Sequence, residues 1–334
     1  MRDSSIRALG LMLSAVVSLA AAAVGEKSGD AAGRSLSPET FPTWAYTWDP
    51  DFKTAPADDE PHHLPSSAAA FSYVQARDLF LSPDWHPGDH PPLPEVVSLG
   101  RKPEVRACGC CHRAEGTGGP ENSSIAGLPL AYIVQQMADF KSGARKFSGP
   151  QRAPVLLMIA VAKAATEAEV QSAANYFAAL KLKPNIKVVE SGTVPRTYIA
   201  GNFFAFSKEG GTEQLGQRIV EVPVEVEQFE LRDSRSEFVA YVPIGSVARG
   251  EALVKTGGGG RTVACAVCHG ADLKGLGPVP GIAGRSPSYG VRQLYDFKHG
   301  ARVGVASALM KPTVEKLSVD DMIALASYLA SLPP

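Results

Sequence analysis

An excess of charge of either sign is missing from this chain: 33 lysines and arginines stand against 34 aspartates and glutamates. That balance removes the electrostatic footprint that nucleic acid or an anionic bilayer would demand of a partner. Long apolar runs are missing too, apart from one at the N-terminus, so nothing further along is expected to cross a bilayer as a helix. No nucleophile–base pair stands in a recognisable motif. Gly118-Gly119 and Gly257 to Gly260 are glycine-rich but lack the lysine and flanking strand of a phosphate loop, and read as backbone turns. Cysteine is scarce, at five residues, and its placement is the informative feature.

All five fall in two copies of one pentapeptide, Cys108-Gly-Cys-Cys111-His112 and Cys265-Ala-Val-Cys268-His269, four of them at its first and fourth positions. Two thiols three residues apart, followed by an imidazole, form the attachment signature of a c-type haem. On a helical turn, positions i, i+3 and i+4 share a face. Both sulfurs can then add to the porphyrin vinyl groups while the histidine reaches the iron. Two covalently bound haem c groups are therefore expected, on Cys108, Cys111, Cys265 and Cys268, with His112 and His269 on the metal. The fifth cysteine, Cys110, would break the spacing to Cys111 if it were used. It reads either as a small semi-buried residue or as a free thiol open to redox or cross-linking chemistry.

The N-terminus reads as a targeting element. Arg2 and Arg7 precede an uncharged run from Ala8 to Val24, and Ala21, Ala22 and Ala23 suit a signal peptidase. The run is about 17 residues, short of the ~20 that a spanning helix needs. A cleaved signal over residues 1–24 and export to a periplasm are expected, with membrane contact only if the segment stays uncleaved. Residues 25–70 form an irregular extension rich in Pro, Ser and Ala, whose aromatic stretch from Phe41 to Trp48 is expected to wrap the surface.

The two motifs head two related halves. At an offset of 157, Ile125-Ala-Gly127 falls on Ile282-Ala-Gly284, Tyr132 on Tyr289, Gln136 on Gln293, Asp139-Phe-Lys141 on Asp296-Phe-Lys298, and Gly143-Ala-Arg145 on Gly300-Ala-Arg302. Past five extra residues in the first half the offset becomes 152, and Met158 falls on Met310, Tyr176 on Tyr328. Thr166-Glu-Ala-Glu169 and Ser318-Val-Asp-Asp321 predict capped closing helices with apolar stripes behind them. Middle helices are predicted from Leu130 to Ser142 and from Tyr289 to His299, each followed by a glycine suited to a left-handed cap. An early helix is predicted from Val247 to Val254, with Gly250 admitting a close neighbour. Its counterpart is taken as Gln75 to Phe80, with Ala76 on Gly250, which leaves an insert of about 17 residues, Ser82 to Ser98, too rich in proline for regular helix. This insert is expected to be an ordered loop over the first haem. Residues 184–246 alternate β-branched and aromatic runs with Gly and Pro, predicting a linker with short strands.

With an early helix, the pentapeptide, a middle helix and a methionine shortly before a closing helix, each half resembles a class I cytochrome c domain. The resemblance covers roughly residues 71–181 and 247–334, and the tandem is similar to dihaem cytochromes of the c4 type. It implies a mainly α fold: two tandem class I cytochrome c helical domains, 71–183 and 247–334, joined by the strand-containing linker 184–246 and preceded by the irregular extension. Carried over by position, it implies Met158 and Met310 as distal iron ligands opposite His112 and His269. A thioether is a soft, neutral donor that favours Fe(II) and raises the potential relative to two histidines. With both axial positions filled no site is open to oxygen or peroxide, which argues for electron transfer over catalysis.

Met137 and Met322 sit in helical stripes and are read as core. Tyr132 and Tyr289 are candidates to pack on the haems, and Arg145 and Arg302 to pair with propionates or to solvate helix C-termini. His86 and His90 are expected to hydrogen-bond within the insert; either one displacing Met158 would lower that potential. His62, His63 and His299 are expected in solvent. The leading function is an exported dihaem c-type cytochrome passing single electrons between redox protein partners, a donor dehydrogenase and an acceptor oxidase or cytochrome. One alternative is the cytochrome subunit of an oxidoreductase complex, docking through its extension and acidic linker. Another is a dihaem peroxidase or sulfur-compound oxidase with one open or unusually ligated iron, against which the two methionines count.

Overall fold

The computed structural model describes residues 41–54 and 56–334; the expected signal segment lies outside the described residues. The chain enters through a 3-10 turn, Thr43–Tyr46, then a short antiparallel pair, β1 (His62–His63) with β2 (Ala70–Phe71), and helix α1 (Tyr73–Arg77). A first helical module follows: α2 (Glu95–Ser98), α3 (Cys108–His112), α4 (Leu130–Ser142), α5 (Ala153–Ala164) and α6 (Glu167–Ala179). Next come β3 (Ile186–Glu190), β4 (Thr193–Pro195), β5 (Thr197–Ala200), β6 (Phe203–Phe206), β7 (Thr212–Gln214), β8 (Val220–Pro223), α7 (Val226–Glu230) and β9 (Phe238–Val242). The second module comprises α8 (Ser246–Thr256), α9 (Ala266–His269), the hairpin β10 (Gly275–Leu276) and β11 (Val279–Pro280), then α10 (Pro287–Lys298), α11 (Lys311–Val314) and α12 (Val319–Ser331). Among the described residues no helix is long and apolar enough to cross a membrane.

The closing helices start where their caps predict. Thr166 accepts from the Glu169 N–H while Glu169 reaches back to the Thr166 N–H, and Ser318 with Asp321 repeats the box on α12. Helix α4 ends at Gly143, whose φ of 79° is the left-handed cap that a glycine adopts without strain. Behind α6, Ala173, Ala174 and Phe177 bury against Ile133 of α4; behind α12, Met322, Leu325 and Ala326 bury against Val291 of α10.

The linker is more than a spacer. Central strand β9 pairs parallel with β3 and antiparallel with β8. Its alternate residues Phe238, Ala240 and Val242 are buried, and Ile186 and Val188 of β3 join the core of the second module. The aromatic extension also departs from the surface-wrapped expectation. Ala45 and Tyr46 are buried in that same core, with Phe41 and Trp44 packed against it. The Tyr46 hydroxyl donates to Asp296 at 3.0 Å, and Arg292 donates to the Ala45 carbonyl at 2.7 Å. Aromatic area of this size gains more from a core than from a solvated surface.

The structure corrects the register of the early helix. The counterpart of α8 is α2, not the Gln75–Phe80 segment. Val96 and Val97 of α2 pack on α6, and at the same offset of 157 fall on Leu253 and Val254 of α8, all four buried. Gly100 and Gly257 share the register and a positive φ (66° and 72°), each with a carbonyl, Val105 or Thr262, where a Cβ would lie. Helix α1 belongs instead to a small separate cluster of Leu64, Ala76, Trp85 and Leu231. Pro91, Pro92 and Pro94 prevent the first turns of the helix from forming, so only 95–98 remain regular.

Candidate functional site

Helices α3 and α9 present both pentapeptides to one continuous cavity of about 510 Å³. Cys108, Cys111, His112 and Met158 line it from the first module, and Cys265, Cys268, His269 and Met310 from the second. Cys110 is buried and absent from this wall. Its i+2 placement turns the thiol away from the face shared by Cys108, Cys111 and His112. Met158 lies within α5, whereas Met310 stands between a 3-10 turn and α11, so the repeat-matched methionines come from different local backbones. Met137, read as core, and its mate Leu294 also reach the cavity wall.

Both histidines are held through one ring nitrogen. His112 Nδ1 lies 2.8 Å from the Ser123 carbonyl oxygen, and His269 Nδ1 lies 2.8 Å from that of Pro280. A carbonyl can only accept, so Nδ1 donates its proton and Nε2 keeps a lone pair for a metal. Ser123 and Pro280 are themselves separated by the repeat offset. Burial lowers the pKa of both rings, only partly opposed by these hydrogen bonds, which keeps the imidazoles neutral.

Where the modules meet, the repeat becomes a local two-fold arrangement. Arg145 and Arg302 face each other across an antiparallel bridge, with the Lys146 N–H on the Ala301 carbonyl and the Val303 N–H on that of Ala144. Arg145 donates to Gln136 at 2.8 Å, to the Tyr289 hydroxyl at 2.8 Å and to Gln293 at 3.0 Å. Arg302 answers with Gln293 at 2.9 Å, Tyr132 at 3.4 Å and Gln136 at 2.7 Å. Each guanidinium also lies over an aromatic ring of its own module, Phe140 or Phe297. Burial would raise the pKa of Tyr289, but the charges of Arg145 and Arg302 outweigh it and the phenol titrates below its ordinary value. Tyr132 and Tyr289 thus line the cavity and serve the interface at once. Solvation of helix ends, one expectation for the arginines, is overturned: both are buried.

The wall is basic. Arg106, Arg145, Lys146, Arg152, Arg285, Arg292 and Arg302 face three acidic residues, Glu121, Glu169 and Asp296. Arg152 Nη2, Arg106 Nε and Arg302 Nε are buried and meet no protein acceptor. Unpartnered buried N–H groups on cationic side chains suit an anionic ligand. Two haems bring four propionate carboxylates, equal to the net excess of four positive charges on this wall, so the residues present fit the group. The sequence missed Arg106, Arg152, Arg285 and Arg292 because their repeat mates are not basic.

The insert histidines stay out of the cavity. His86 Nε2 lies 3.0 Å from buried Asp233, and His90 lies 3.1 Å from Asp84 and 2.8 Å from the Pro91 carbonyl. His62 bonds Asp58 and Glu227, while His63 and His299 are exposed.

Comparison with known proteins finds the cytochrome c family pattern over residues 247–333. The thiosulfate dehydrogenase electron acceptor of Thiomonas intermedia is 26% identical over 234 residues, covering 69% of this chain and 81% of that protein. Cytochrome c-554(548) of Halomonas halodenitrificans is 34% identical over 88 residues, 26% of this chain and 96% of its own. Cytochrome c4 of Azotobacter vinelandii is 30% identical over 144 residues, 38% of this chain and 67% of its own.

Proposed function

Because the chain belongs to the cytochrome c family, we propose that it is an exported dihaem electron carrier that accepts electrons from a dehydrogenase of thiosulfate or a related sulfur compound and passes them to a further redox protein. The observation that carries this reading is the duplicated site: two sets of paired cysteines, a carbonyl-anchored histidine and a methionine share one arginine-lined cavity. The sulfur-compound donor is suggested by a relative whose alignment takes in most of both chains, an electron acceptor of thiosulfate dehydrogenase. When bound, haem supplies one-electron chemistry at its iron.

In this reading Cys108, Cys111, Cys265 and Cys268 anchor the two groups covalently. His112 and His269 offer Nε2 to the irons, and their Nδ1–carbonyl bonds fix the ring orientation. Met158 and Met310, which line the same cavity, would offer thioether sulfurs to the irons. Arg152, Arg106 and the Arg145–Arg302 pair would hold the propionates, and Tyr132 and Tyr289 would wall the cavity around the groups. Packed apolar residues such as Val161, Phe177 and Leu325 exclude water, which limits reorganisation when charge arrives.

Protein matured in a competent host should carry a mass increment of two haems over its polypeptide, and thiosulfate with thiosulfate dehydrogenase should reduce it. Its oxidised spectrum should show a methionine–iron charge-transfer band scaled to two haems. Met310→His should halve that band and lower one midpoint potential by on the order of 0.1 V, within the ~0.8 V that axial ligands span. A single haem, or a high-spin fraction in the oxidised wild type, would sink the proposal.

A further inference from the structure

We propose that the pentapeptide face of the second module is the docking site for a redox partner of neutral, apolar surface, and that the equivalent face of the first module is closed by this chain's own linker. The inference rests on the carrier reading above and asks where electrons enter and leave.

The repeat provides the internal comparison. Cys110 and Val267 are equivalent at the offset of 157, as are Gly119 and Leu276. Cys110 is 0% exposed and Gly119 buried; Val267 is 68% and Leu276 60% exposed. The contrast extends along the chain: residues 113–120 are all buried, whereas Ala271, Asp272, Lys274, Leu276 and Gly277 in the matching stretch are exposed.

What covers the first face is visible. Phe229 of α7 lies under the Arg113 guanidinium, 4.7 Å from its ring centroid, and beside Gly119, where a Cβ would come within 3.0 Å of the ring. Ser234 takes the Thr117 hydroxyl on its carbonyl and the Glu115 N–H on its own hydroxyl, both at 3.1 Å. Ser82 of the insert sits against Gly109. A short helix carrying an aromatic side chain is thus the kind of surface that fits this face, and the linker provides it once.

On the second module nothing in the described chain takes that place. Cys268 is exposed there, and Val263 borders both the cavity and the surface. Between Thr262 and Gly284 the charged side chains are one of each sign, Asp272 and Lys274. A stretch with no net charge and exposed valine and leucine recognises an apolar partner surface rather than a charged one. Cys268, which would anchor the second haem, opens on this same surface, which commits the occupant to a protein carrying its own redox centre beneath an apolar patch.

Stopped-flow mixing of the reduced, haem-loaded protein with oxidised azurin, a small copper protein, tests this. Val267→Glu with Leu276→Glu should slow the second-order exchange at least about tenfold. Haem content and the rate with ferricyanide, a small oxidant, should not change, and Leu156→Glu on the first module should leave both rates unaltered. The wild-type rate should vary less than about threefold with ionic strength, since exposed charges play little part. Leu276→Glu alone provides a second variant that leaves the pentapeptide and the cavity wall intact. An undiminished azurin rate in both variants, a steep salt dependence, or a stable dimer that the substitutions dissociate would overturn the proposal. A wild type oxidised by ferricyanide but not by azurin overturns docking alone; one oxidised by neither overturns the carrier reading and docking with it.

Discussion

At the residue scale, Asp321 shows how one carboxylate organises a helix start. It is fully buried and receives Arg249 and Arg261, each at 2.6 Å, together with the Ser318 N–H at 3.0 Å. Burial by itself would raise its pKa; the Ser318 hydrogen bonds and Arg249 reverse that and hold it below the ordinary carboxylate value. A depressed folded pKa stabilises the protein fully above the unfolded value of about 4, and the contribution is lost as pH falls through the folded value. Asp321→Asn should therefore lower stability by about 2 kcal/mol at pH 7. The difference from wild type should shrink as the pH is taken below about 4. Denaturant midpoints of the holoprotein at several pH values measure both. A gap that persists unchanged into acid would show that shape, not charge, accounts for the loss. The repeat mate Glu169 forms the same box but pairs with Arg101 nearer to solvent, so its substitution should cost less.

At the element scale, the crossing of α8 on α12 depends on Gly250. A Cβ at this position would run into the Ala324 carbonyl and approach Tyr328 Cβ to 2.7 Å. Gly250→Ala gains helix propensity, yet overpacking dominates, and a net loss of about 1–3 kcal/mol is expected. Thermal unfolding of the holoprotein followed at the haem absorbance checks it; an unchanged or raised midpoint would mean the helices separate at no cost. This glycine was legible in the sequence because it interrupts an otherwise apolar helical stripe. The middle and closing helices were legible for a similar reason, since capping boxes and helix-ending glycines are local signals. The early helix of the first module was not. Pro94 leaves a single turn at Glu95–Ser98, too short for periodicity to reveal, and Val96-Val97 with Gly100 was the fainter signal in the true register. The buried aromatic turn at Thr43–Tyr46 was also hidden, because its partners Asp296 and Arg292 lie some 250 residues away.

At the scale of the whole molecule, duplication has produced an interface whose polar groups are shared between the halves. Gln136 Oε1 accepts from Arg145 of its own module and Arg302 of the other, and Gln293 Oε1 accepts from the same two arginines. Four side chains close a ring in which no carboxylate takes part, so within the chain the two buried guanidiniums depend on amide and phenol oxygens and ring faces for compensation. Gln136→Leu removes an acceptor from both cations at once and should cost about 1–3 kcal/mol, as should Gln293→Leu. The two losses should not add. Once either glutamine is gone both arginines have been disturbed, and the double variant should differ from the sum by at least about 0.5 kcal/mol. Denaturation of the four proteins in the haem-loaded state completes the cycle. In the double variant the two modules should also begin to unfold separately, seen as non-coincident transitions from haem absorbance and far-ultraviolet dichroism. A coupling near zero would mean that each guanidinium is satisfied within its own module. The two-fold ring would then record the duplication without holding the halves together.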